Sequence, residues 1–434
     1  MSLRRTAAVL AAAAVAALAV LPAAQSQARV APTTDVSDAA AGWLARQLVD
    51  GDHFENVFDG VAYPDQGLTL DALFAFTAAG VASDSADEAT AWLAEPAIIA
   101  NYLHFGDPAE SYAGAHAKLA LAVQARDLDP TGFGGEDLIA GLTALQAPSG
   151  RFSDKSQYGD YSNGFTQAFA VLALDRWEGA PQAAVDYLVG EQCADGGFPL
   201  ILEAATCVSH VDATAMVVQA LLAVDKTAEA AEALDWLTGV QQAGGGFRDE
   251  GAAGEGNANS TGLAAQALRA GGRTAAADKA TRFLTSLQVG CTAAEAARGA
   301  IAFDKAGFTQ ATSLRASAQG VLGLVGVNFA DLTAAGDTPD APVLDCGTTT
   351  TSPTSSSSST SDTTTTTTDT TTTTSGATAT STTTTAVVAV ANNRGTLART
   401  GAAVGPALWI GALLLVGGVL AVVLARRRYA EARK

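Results

Sequence analysis

Two hydrophobic patterns alternate along the chain between residues 36 and 332. In the first, apolar residues fall three and four apart, one stripe of an α-helix. Examples are Ala184-Val185-Asp186-Tyr187-Leu188, Ala233-Leu234-Asp235-Trp236-Leu237 and Ala280-Thr281-Arg282-Phe283-Leu284. The second pattern opens on a polar residue and then runs apolar on nearly every side, as over 163–172, 212–222 and 259–268. That is expected of a helix buried between neighbours. Gln192-Cys193-Ala194-Asp195-Gly196-Gly197-Phe198 and Gln241-Gln242-Ala243-Gly244-Gly245-Gly246-Phe247 join one pattern to the other, and Gln146 to Phe152 has the same spacing. The glycines are expected to stop the first helix in a left-handed cap, and the Phe to re-enter the core. From Gln146 to Gln192 is 46 residues, to Gln241 is 49 more and to Gln288 is 47 more, while Thr166, Thr214 and Thr261 lie 48 and 47 apart. A period near 48 marks a repeat architecture.

Counting back, Trp43-Leu44 and Trp92-Leu93 mark two earlier copies of the striped helix. Second-type helices are expected over 69–79, 111–122 and 314–324. The chain is therefore expected to be all-α, with about six helical hairpins. Periodicity alone leaves both an open solenoid and a closed ring possible. The Gln…Gly-Gly-Phe element before a buried helix resembles the repeats of the terpenoid cyclase and protein prenyltransferase superfamily. That resemblance covers residues 36–332 and implies an (α/α)6 toroid, with inner and outer helix rings around a central cavity.

The ends of the chain are of another kind. Residues 1–28 read as a secretory signal, with Arg4 and Arg5 before an apolar run and small residues allowing cleavage after Ala28; the alternative is a retained N-terminal anchor. Residues 347–396 form a Thr/Ser-rich stretch that cannot bury a core, and so a disordered stalk is expected. An apolar run over 404–425 is long enough to span a bilayer. Arg426-Arg427-Arg428 and the basic tail to Lys434 would hold its end in the cytoplasm. Together with Leu397, Ala398, Arg399, Thr400 and Gly401, the 397–434 segment resembles a sortase sorting signal, in the form used by some high-GC actinobacteria. The resemblance implies that sortase cleaves after Thr400 and joins it to peptidoglycan; a permanent single-pass anchor is the alternative. Either way the toroid is exported to the cell surface.

Charge narrows the partners. A formal charge of −19 argues against nucleic acid, which needs clustered Lys and Arg. An even cysteine count in an exported chain favours disulfides. Cys193 with Cys207 would close a loop of about 15 residues, worth roughly 3 kcal/mol, and Cys291 with Cys346 would tie the C-terminal segment to the last repeat.

The chemistry is less marked. Squalene–hopene-type cyclases, in the superfamily resembled, protonate an alkene with an Asp-x-Asp-Asp-Thr-Ala acid. The nearest stretch is His210-Val211-Asp212-Ala213-Thr214-Ala215, where Asp212 matches the middle acid while His210 and Ala213 replace its acidic neighbours. Asp212 reads instead as a helix N-cap, like Asn163 and Ser260 in sister repeats. Cys207, His210 and Asp212 lie close together but do not match the prenyltransferase zinc arrangement, so neither metal nor cofactor is assigned. His116, on an apolar helix, reads as a hydrogen-bonded core residue. Loops after the Gly-x-Phe turns bring Asp154, Tyr158 and Asp160, and Asp249 and Glu250, toward one mouth of the ring, where an extracellular ligand would bind. Aromatic content of 6% is low for a cavity that must hold carbocations. Ala168, Ala170, Ala173, Ala264, Ala265 and Ala267 would let inner helices pack closely and leave little cavity. The expectation is a ligand-binding or structural toroid, with an extracellular cyclase, lyase or hydrolase as the alternative.

Overall fold

The computed structural model describes residues 31–248 and 254–347. The signal, stalk, sorting motif and apolar 404–425 run fall outside the described residues, apart from Gly347, as do Asp249 and Glu250. Among the described residues no helix is long and apolar enough to cross a membrane.

Six helices form a closed inner ring: α2 (Gln66–Ala79), α5 (Ala113–Ala125), α7 (Gly164–Trp177), α9 (Val211–Ala223), α11 (Ala258–Ala270) and α13 (Gln310–Val325). Each packs on the next, and α13 packs back on α2. Outside them lie α1 (Val36–Ala45), α3 (Ser83–Leu93), α6 (Leu138–Thr143), α8 (Gln182–Gly190), α10 (Thr227–Val240) and α12 (Thr274–Ser286). The ring is thus an α/α toroid. Its first outer helix, α1, packs on its last inner helix, α13, so the two ends of the repeat array close on each other. Elements not legible in the sequence include α4 (Pro96–His104) and the hairpin of β2 (Glu55–Phe58) with β3 (Val61–Pro64).

One hydrogen-bonding scheme builds the repeats. The Gln at the end of an outer helix reaches the first turn of the next outer helix. Gln192 donates to the Gly196 and Glu229 carbonyls, Gln241 to those of Gly245 and Ala276, and Gln288 to those of Gly299 and Val36. The last pair closes the ring. The re-entrant residue then gives its backbone N–H to a side chain of the following inner helix. Phe54 donates to Thr69, Phe198 to Thr214, Phe247 to Thr261 and Ile301 to Ser317. In the third repeat Gln167 takes this place, accepting from Phe152. Thr166, spaced like Thr214 and Thr261, instead completes a capping box with Asn163.

The glycines also act differently from expectation. The outer helix α10 ends at Val240, and the positive-φ glycine of its turn, Gly245 (φ +93°), comes later. It permits a tight turn in which Gly245 N–H meets the Gln242 carbonyl. A Cβ there would lie 2.3 Å from the Lys279 carbonyl oxygen, so the residue also lets the turn lie against α12.

After α13 the chain crosses one end of the ring. Phe329 is buried against Phe74 and Phe169, with ring centroids 4.9 and 5.8 Å away. Gln219 accepts from Phe329 N–H at 3.1 Å, and Arg176 donates to the carbonyls of Phe329, Ala330 and Leu332. Farther on, Arg126 pairs with Asp337 at 2.9 Å, and β4 (Val343–Leu344) runs parallel to β1 (Pro32–Thr33). Cys291–Cys346 fixes the end of this strap, and Cys193–Cys207 bridges the fourth repeat. Both disulfides suit an oxidising, extracytoplasmic setting.

Candidate functional site

The loops leading into the six inner helices meet at one end of the toroid. Neighbouring loops touch: Ser111 pairs with Lys155 in a β-bridge, Arg151 binds Glu203, Gly164 N–H meets the Leu200 carbonyl and Ala258 N–H meets the Phe303 carbonyl. Gln310, at the start of α13, reaches Gln47 of the first loop.

The 153–163 loop shows how such a segment holds its shape. Asp154 accepts from Ala113 N–H at 2.8 Å and Tyr161 N–H at 3.0 Å, which ties the loop to the start of α5. Burial pushes its carboxyl up more than these N–H groups bring it down. Burial also acts on Asp160, but N–H groups of Asp154 and Ser162, with Arg151 at 3.1 Å, prevail and set its carboxyl below the usual range. Both acids are engaged in the loop itself. Tyr158 and Tyr161 are its exposed aromatic groups, about half accessible each (50% and 48%), with the Tyr161 hydroxyl donating to the Tyr158 carbonyl.

Exposed apolar side chains gather at this end. Phe58 and Tyr63 stand on the β2–β3 hairpin, Phe105 follows α4, and Ile201, Val208 and Phe308 sit on later loops. Of the twelve large hydrophobic residues exposed among the described residues, only Leu128 and Trp177 lie outside these loops. Sequence patterning missed the hairpin, because Val57, Phe58, Val61 and Tyr63 face outward and carry no helical period.

The cyclase-like stretch is placed at the start of α9. His210 is the N-cap, accepting from Ala213 N–H, and Asp212 lies in the first helical turn, only 4% exposed. The reading of Asp212 as the cap is therefore corrected: the cap lies two residues earlier, on the His210 imidazole. In α11 likewise Asn257, not Ser260, is the cap. Cys207 is bridged to Cys193, which removes a thiolate from the cluster with His210 and Asp212. No group of three His, Cys, Asp or Glu among the described residues is arranged to hold a metal.

Inside the ring the space is small. The cavity lined by Asp71, Phe165, Met216, Leu263, Gln319 and Phe329 measures about 20 Å³, room for about one water. Close helix approach explains this: a Cβ on Gly262 would lie 2.1 Å from the Gln319 carbonyl oxygen, so α11 and α13 pack nearly backbone to backbone. Asp71 is bound by Lys118 and Arg315. Lys118 is fully buried, and burial drives its ammonium down against the pull of Asp71. Lys118 in the middle of an apolar helix was the sequence signal for this cluster, since a buried ammonium needs a carboxylate. Tyr102 lies nearby with its hydroxyl buried and unpartnered; burial, with Asp71 and Asp65 adding, drives its pKa strongly upward. His116 is buried with Nε2 3.1 Å from the Ser111 hydroxyl, but its Nδ1 has no partner. Burial, with His104 beside it, pushes it down to about 4, so it is neutral at pH 7.

No protein-family model and no curated protein matches the chain. Solved structures do. An inactive variant of an α-1,6-mannanase of Salegentibacter, solved with α-1,6-mannotriose, aligns with a TM-score of 0.50 at 9% identity, over 68% of this chain and 99% of that one. A type II terpene cyclase from Scytonema aligns with a TM-score of 0.48 at 15% identity, over 67% and 96%. ent-Copalyl diphosphate synthase from Streptomyces platensis gives 0.40 at 16%, and this chain spans about half of its length (52%). At 9% identity, what the mannanase shares with this chain is the toroid fold alone.

Proposed function

We propose that this chain is an exported surface protein whose toroid is a binding module, working through the end where the inner-helix loops meet. The observation that carries this reading is the concentration of exposed aromatic and aliphatic side chains on those loops, while the cavity between Asp71, Met216 and Phe329 is small. Exposed apolar patches of this kind mark interaction sites. The Leu397, Ala398, Arg399, Thr400, Gly401 motif, the 404–425 span and the Thr/Ser-rich stalk support display on the cell wall, with sortase and peptidoglycan as partners. An extracellular cyclase, lyase or hydrolase would need a chamber large enough for its substrate. The cavity here holds about one water, and its carboxylate, Asp71, is already paired with Lys118 and Arg315.

The test is a binding screen of the full-length protein against extracellular glycans and peptides, repeated with Tyr158→Ala plus Tyr161→Ala. A ligand bound at least tenfold more weakly by the variant supports the loop face. A ligand bound equally by both forms, or turnover of a substrate, overturns the reading.

A further inference from the structure

A basic pocket of about 340 Å³ lies between the 243–244 turn, α12 and the loop carrying Lys305. Lys279, Arg282 and Ser286 enter it from α12, spaced three and four residues apart and so on one helix face. The ring of Phe283 forms part of its wall, and Lys305 reaches over that ring with its ammonium 5.8 Å from the centroid. Lys305 pairs with Glu255. Neither Lys279 nor Arg282 has an ion-pair partner among the described residues. The nearby arginines differ: Arg269 is held by Asp278 at 2.8 Å and Arg273 by Asp235 at 2.6 Å. On a chain of formal charge −19, three cations facing one hollow with one carboxylate among them depart from the general pattern.

We infer that this pocket is a second binding site, for a sugar-sized organic anion bearing a carboxylate or a phosphate. Its volume falls at the small end of ligand sites, which run from roughly 300 to 1,000 Å³. Arg282 offers paired N–H groups to an oxyanion and Lys279 adds a second charge. The Ser286 hydroxyl, whose proton goes to the Phe283 carbonyl, and the buried Phe283 ring complete the lining. The acids elsewhere on the molecule repel anions, but at physiological salt charges beyond about 8 Å are screened, so the local cations decide. The site shares no residue with the Tyr158–Tyr161 loop and stands independently of it.

Ligand-observed NMR titrations of the full-length protein with glucuronate, glucose 6-phosphate and glucose test this. One or both anions are expected to bind saturably, with glucose at least tenfold weaker; the tighter anion tells carboxylate from phosphate. Lys279→Gln plus Arg282→Gln should weaken anion binding at least tenfold with an unchanged melting temperature, because both side chains are exposed, and Tyr158→Ala should leave it unchanged. Equal binding of glucose, absence of saturable anion binding, or anion binding that survives the double substitution in a folded protein overturns the inference.

Discussion

His116 shows how a single residue couples this fold to pH. Its imidazole is buried, lies close to Gly141 and is held neutral, with its pKa pushed down to about 4 from 6.5. Between these values the unfolded chain binds a proton that the folded chain refuses. Stability is therefore fully present above pH 6.5 and falls as pH drops toward 4. The full window corresponds to about 3 kcal/mol. Urea unfolding of wild type and His116→Gln at pH 7 and pH 4.5 measures it: the acid loss should be about 2–3 kcal/mol smaller in the variant. Equal slopes would remove His116 as the cause. The same residue-level logic explains Thr214, Thr261 and Ser317, whose hydroxyls each take a buried N–H that no helix or strand would satisfy.

At the scale of elements, the Gln side chains act as latches between consecutive outer helices. Gln241 and Gln288 make equivalent pairs of hydrogen bonds, but Gln288 joins α12 to α1, across the ends of the repeat array. Losing two hydrogen bonds should cost each Gln→Ala variant about 2 kcal/mol. The local effects should differ. Gln288→Ala should speed hydrogen exchange in α1 (Val36–Ala45), whereas Gln241→Ala should leave α1 protected. Indistinguishable exchange in α1 would mean that the closing latch carries no special load. A stripe of apolar residues such as Ala276, Ala280 and Phe283 announces an outer helix, but its partner across the ring closure is 252 residues distant and leaves no trace in local periodicity.

For the molecule as a whole, closure at both levels decides what the toroid can hold. The inner helices pack at glycine and alanine contacts, and Phe329 with its neighbours fills one end. Phe329 is 2% exposed and touches rings from α2 and α7. Phe329→Ala should lower the unfolding free energy by about 3–5 kcal/mol and leave an enlarged apolar void; xenon uptake under pressure, absent in wild type, would report it. A loss below 1 kcal/mol would mean the strap merely covers the ring.

The amino-acid sequence by itself determined the repeat and the helical class. These follow from local spacing, which does not depend on distant partners. Only the tertiary structure decided that the array closes, that Gln167 rather than Thr166 receives Phe152 N–H, that His210 caps α9 ahead of Asp212, and that Asp71, Lys118 and Arg315 meet. Each of these turns on which groups far apart in the chain come within a few ångströms, because buried charges and N–H groups take whatever partner the folded packing brings to them.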